Sequence, residues 1–134
     1  MNIALLAHER RRELMVRFCI GYRNVLSQHS LLVMPNCIEA IRGAVKLAVV
    51  PCSGNSLDGF RQIISKISCH EVDLLLFFRY ASPYVTITPD EIELLRICDF
   101  NSVPYATNIA TAEVLIKGLE RGDFDWRNAG DPMI

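Results

Sequence analysis

Tyr105-Ala-Thr-Asn-Ile-Ala-Thr-Ala-Glu113 is the stretch that decides the fold. Val103-Pro104 before it reads as the start of a short buried strand, and the apolar-periodic segment from Ala110 to Leu119 reads as a helix. A strand therefore hands over to a helix across Thr107 and Asn108. Either side chain suits the free N–H groups of a first helical turn. In a parallel sheet, ligands sit at the C-terminal strand ends, beside helix N-termini that favour anions.

Upstream, the same strand-to-helix handover recurs. Apolar runs at Ile3–Ala7, Leu31–Met34, Lys46–Val50 and Val72–Phe78 read as buried parallel strands, the last being the most apolar and expected at the centre of the sheet. Between them, helical spacing of apolar residues runs from Leu14 to about Gln28, from Ile38 to Val45 and from Phe60 to Ile67. Pro35-Asn36 is expected to turn the chain, and Pro51 to Asn55 and Arg79 to Thr88 to form loops. Thr88-Pro89-Asp90-Glu91 is a helix start, with an N-cap Thr, Pro in the first position and acids in the first turn. The alternation βαβαβαβαβα predicts an α/β fold, a three-layer sandwich around a five-stranded parallel sheet. One domain over residues 1–134 is expected, with about 123–134 as a polar tail anchored by Trp126.

Composition narrows the function. With 134 residues and 51% hydrophobic content the chain can bury a core, and a net charge of -1 argues against a nucleic-acid or anionic-membrane partner. The five cysteines are scattered and odd in number, with no C-x-x-C pair and no zinc-ligand spacing, so reduced structural thiols in a cytoplasmic protein are expected and no metal site. The opening apolar run is too short for a signal peptide, and no run approaches membrane-spanning length.

The five strand ends deliver His8, Glu9 and Arg12; Met34 to Ile38 with Asn36; Ser53, Gly54 and Asn55, with Asp58 a turn on; Arg79 and Tyr80, with Asp90 beyond the loop; and Thr107 with Asn108. His8 suits a general acid or base, and equally a strand-end histidine bonded to backbone. Glu9, Asp58 and Asp90 suit catalytic carboxylates, and equally first-turn acids favoured by the helix dipole. Of Arg10, Arg11 and Arg12, at most two can face one site, because consecutive helical residues diverge.

Ala106-Thr-Asn-Ile-Ala-Thr-Ala-Glu113 resembles the A-T-N-x-A-T-A-[DE] segment of methylglyoxal synthases. In order along the chain, Ile3-Ala-Leu-Leu-Ala-His8 is similar to I-A-L-x-A-H-D, Val72-Asp-Leu-Leu-Leu-Phe-Phe78 to I-D-x-x-I-F-F, and Pro89-Asp-Glu-Ile-Glu-Leu-Leu-Arg96 to P-D-x-x-x-L-L-R. The resemblance spans about residues 2 to 120 and implies the methylglyoxal-synthase-like (Rossmann-like) sandwich, self-association as homohexamers, and no metal or organic cofactor. It also implies a reaction. A carboxylate removes a proton beside the carbonyl of dihydroxyacetone phosphate, and the enediolate expels phosphate to yield methylglyoxal. Such chemistry needs a base, polarising groups and a phosphate cradle.

The departures lie on one side of the implied pocket. The family's T-G-T-T-G cradle after strand two is matched by Met34-Pro35-Asn36-Cys37-Ile38, and its G-G-D segment with the catalytic Asp by Ser53-Gly54-Asn55. Arg79-Tyr80-Ala81 stands at W-D-P, and Ile87 at a family histidine. What remains is His8, Glu9 in place of Asp, Arg12 in place of a family lysine, Asp90, Thr107 and Asn108. The expectation is a protein that keeps the fold and a pocket for a small anion or phosphorylated metabolite, with Arg12, Asn36, Ser53, Gly54, Arg79, Thr107 and Asn108 as ligand contacts. His8, Glu9 and Asp90 remain as catalytic candidates, and efficient synthase activity is absent. The alternative is an active synthase with Glu9 or Asp58 as a substitute base.

Overall fold

A computed structural model of the chain describes residues 1–47, 49–51 and 56–127. Five strands, β1 (Asn2–Ala7), β2 (Ser30–Val33), β3 (Val49–Pro51), β4 (Leu74–Phe78) and β5 (Tyr105–Ala106), pair in the order β3-β2-β1-β4-β5, every pair parallel. Between and after them lie α1 (Arg12–Gly21), α2 (Arg23–Leu26), α3 (Pro35–Ala44), α4 (Ser56–Ser68), α5 (Pro89–Phe100) and α6 (Ile109–Arg121). This is the α/β sandwich that the alternation predicts.

Side-chain alternation along β1 builds the two cores. Ile3, Leu5 and Ala7 face one layer with Met15, Phe18, Cys37, Ile41, Ala112 and Ile116, so α1, α3 and α6 cover that side. Ala4 and Leu6 face the other, with Ile63 and Ile67 of α4 and Leu94 and Cys98 of α5. The central strand is β1, not β4: β1 is the third of the five in the sheet and pairs with β2 on one edge and β4 on the other. The apolarity of Val72–Phe78 reflects burial on both faces, which β1 and β4 share, and therefore does not rank strands by position.

Several boundaries differ from expectation, among them that of the first helix, which breaks at Tyr22 into α1 and α2. Pro35-Asn36 is no free turn but the first turn of α3, with Pro35 at the first helical position, where its missing N–H would have had no helical partner anyway. The third strand is Val49–Pro51 rather than Lys46–Val50, and the fifth is confined to Tyr105–Ala106. Beyond α6, which ends at Gly122 with φ 83°, the segment is tied down by Phe124 against the α6-side core and by Arg127, which donates to the Val72 and Ser102 carbonyls and pairs with Asp73. Trp126, the expected anchor, is half-buried and lies 5.5 Å from the Arg127 guanidinium. Among the described residues no helix is long and apolar enough to cross a membrane.

Candidate functional site

Parallel pairing brings the ends of β1 and β4 side by side. The His8 N–H donates to the Phe78 carbonyl at 3.1 Å, carrying the ladder one residue past β1. There the His8 ring stands edge-on to Phe77, with centroids 5.1 Å apart. Its Nδ1 accepts the Tyr80 amide at 2.9 Å, and its Nε2 bonds Oε1 of Glu91. Glu91 is buried, at 3% exposure, at the start of α5. That helix opens with a full capping box: Thr88 Oγ1 accepts the Glu91 N–H at 3.2 Å, and Glu91 Oε2 accepts the Thr88 N–H at 3.0 Å. Arg79 approaches the same carboxylate, its Nε 3.9 Å from Oε2; that buried Nε has no closer hydrogen-bond partner among the described residues. The predicted residues His8 and Arg79 are thus joined through Glu91, which the sequence presents only as a first-turn acid. The legible signal was Thr-x-x-Glu at 88–91, which positions the carboxylate but not its distant partner.

The end of β2 is built differently. Met34 and Cys37 are buried, and Met34 belongs to the α4–α5 core. A Cβ on Gly59 of α4 would lie 2.9 Å from Met34 Sδ, so this glycine is what lets α4 approach the methionine. Arg12 donates to the Asn36 carbonyl at 2.9 Å and also pairs at 3.6 Å with Glu9, which is exposed. Asn36 Nδ2 reaches the Ala7 carbonyl at 3.4 Å, and the Cys37 thiol donates to Asn36 Oδ1. Burial pushes the Cys37 thiol up, against the lowering influence of its Ala7 contact and of Arg12. Burial likewise carries Cys19 and Cys98 to about 12, so these three are packing thiols.

Elsewhere on the rim, Asp90 is half-buried at the second position of α5. Of the two residues at the fifth handover, Asn108 is the cap: its Oδ1 accepts the Thr111 N–H at 3.0 Å, while Thr107 precedes it, half-buried. Tyr80 turns outward, its hydroxyl accepting from Arg10 at 3.3 Å and its ring lying 5.0 and 5.3 Å from the guanidinium carbons of Arg10 and Arg11. Arg12 and Arg79 point to different partners, Asn36 and Glu91. Ser53, Gly54 and Asn55 lie outside the described residues, as does the Asp58 side chain. Among the described residues no three His, Cys, Asp or Glu side chains gather where a metal ion would sit.

A parallel sheet of order β3-β2-β1-β4-β5, covered on both faces by helices, defines an α/β sandwich with charged groups at its C-terminal rim. The chain belongs to the methylglyoxal synthase family. It is 42% identical over 134 residues to the methylglyoxal synthase of Caldicellulosiruptor saccharolyticus, covering 100% of this chain and 95% of that protein. It is 40% identical over 131 residues to that of Thermoanaerobacter pseudethanolicus, covering 98% and 99%. The crystal structure of methylglyoxal synthase from Elizabethkingia anophelis superposes with a TM-score of 0.75 at 24% identity, over 86% of this chain and 76% of that one, and shares the fold. No family model matches the sequence.

Proposed function

We propose that this protein binds a small anion or phosphorylated metabolite at its strand ends and does not efficiently eliminate phosphate from dihydroxyacetone phosphate. The observation that carries this reading is the amide inventory at the end of β2, where the family resemblance puts the phosphate cradle. A cradle works by backbone N–H groups aimed at the phosphate. Pro35 has no N–H, and the Cys37 N–H is spent on the Met34 carbonyl at 2.9 Å. The Met34 and Cys37 side chains are buried, and Arg12 sits on the Asn36 carbonyl. An amide, Asn55, also stands where the resemblance implies the base, and loss of a general base removes about 10²–10⁴-fold in rate. The cations of this rim, Arg12 and Arg79 among them, suit an anionic ligand. The same reading takes the protein as cytoplasmic and self-associating, in keeping with its family.

A second reading, an active synthase, is favoured by full-length similarity to proteins named methylglyoxal synthase, and by Glu9, a solvent-exposed carboxylate beside Arg12. Phosphate release from dihydroxyacetone phosphate separates the two. No release above background is expected; turnover within about 10²-fold of ordinary enzyme rates would overturn the proposal.

A further inference from the structure

We propose that Glu91 is a positioning residue that, together with the Tyr80 amide, locks His8 in the Nε2–H tautomer and withdraws its ring from any ligand at the rim. The Tyr80 amide can only donate, so the nitrogen it meets, Nδ1, carries a lone pair. The single proton of the neutral ring is then on Nε2, where it is given to Glu91 Oε1. Both ring nitrogens are committed. The ring is backed by the edge contact with Phe77. The carboxylate is held in turn: Oε2 takes the Thr88 N–H, Arg79 stands 3.9 Å away, and at 3% exposure Glu91 cannot turn to water. Glu91 thus acts on His8 from 83 residues away in the chain, at a position that the P-D-x-x-x-L-L-R pattern leaves open. An anion at this rim is then met by arginine and backbone groups and not by His8. The lock holds whether or not the protein turns over dihydroxyacetone phosphate, so its test is separate from phosphate release.

The experiment is nitrogen NMR of the full chain labelled with ¹⁵N-histidine, in which three histidines report and His8→Gln assigns the first. In the native protein the His8 ring is expected to show a bare Nδ1 and a protonated Nε2, with an excess of about tenfold or more over the other tautomer, the scale set by a hydrogen bond to a charged group. Adding inorganic phosphate leaves both signals in place. Glu91→Gln offers one neutral acceptor oxygen where two N–H groups compete, while the Tyr80 amide still favours a bare Nδ1, so the excess is expected to fall without vanishing. Thr88→Ala loosens the same helix start without touching the His8 bond, and is expected to preserve it. A native ring protonated on Nδ1, a freely exchanging mixture of tautomers, or phosphate-induced movement of the His8 signals would overturn the proposal, as would a Glu91→Gln spectrum identical to the native one. Should the variant fail to fold, a native ring not protonated on Nε2 still overturns the proposal.

Discussion

The two halves of the strand-end rim solve the same problem in opposite ways. At the ends of β1 and β4, polar groups are bonded to one another around the buried Glu91: His8, Thr88 and the Tyr80 amide, with Arg79 alongside. At the end of β2, a few residues away across the sheet, the chain buries Met34 and Cys37 and begins a helix on a proline. One half stays in place through satisfied hydrogen bonds, the other through packing. A buried polar network gives directional positions for ligand chemistry but is costly to break at any member. An apolar plug tolerates change and offers a ligand nothing to bond. In this protein the plug stands where the family's phosphate cradle is implied.

The contrast can be broken most sharply at Glu91. Glu91→Ala leaves Arg79 and His8 without their shared carboxylate and removes half of a capping box. Breaking a buried ion pair in this way is expected to cost about 3–5 kcal/mol, read by denaturant unfolding. A loss under about 1 kcal/mol would mean that the network is already wet.

Met34→Ala tests the plug and is expected to cost about 2–5 kcal/mol as a cavity. The loss should be coupled to Gly59. Alone, Gly59→Ala gains about 1 kcal/mol of helix propensity but crowds the thioether, which is flexible enough to give way, so the net change is near zero. In the Met34→Ala background the crowding is gone and the full gain should appear. Strictly additive costs in this double-mutant cycle would count against the close packing of α4 on Met34.

The caps give a smaller effect. Thr88→Ala and Asn108→Ala each remove one side-chain acceptor from a helix start, at about 0.5–2 kcal/mol. The larger loss is expected at Thr88, whose bond is tied to the buried Glu91, and the smaller at the exposed Asn108. Thermal unfolding of the pair checks the order.

The smallest effect is one of pH. Burial raises the folded-state values of Cys19, Cys37 and Cys98 above the ordinary 9.0. Above that pH the unfolded chain gives up protons that the folded chain keeps. The contribution is therefore whole below pH 9.0 and is lost as pH rises toward about 12. Cys37→Ala should make the alkaline fall in stability shallower; an unchanged slope would show that the thiol at the end of β2 does not contribute.

Much of this was legible in the chain. Thr88-Pro89-Asp90-Glu91 predicted a helix start that the structure completes as a capping box, because capping is decided within four consecutive residues. Asn108 was readable as a cap for the same reason, although the sequence left it level with Thr107. The alternating apolar runs were enough for a parallel sheet and its layers. The rank of the strands was not, because β1 and β4 are both covered on two faces and so both apolar. Nor was the role of Glu91, since nothing local to α5 announces a histidine at the end of β1.

By itself, then, the sequence determined the alternation of strands and helices, the family, and the departures from its motifs at Met34 to Ile38 and Ser53 to Asn55, since each rests on short-range periodicity, capping or a contiguous motif. Tertiary structure alone decided that Met34 turns into the core rather than toward a ligand, that Arg12 and Arg79 part company, and that His8 spends both ring nitrogens on Tyr80 and Glu91. The physical reason is that a hydrogen bond or a packing contact belongs to a pair. Where its members are dozens of residues apart, only the paired sheet brings them within reach.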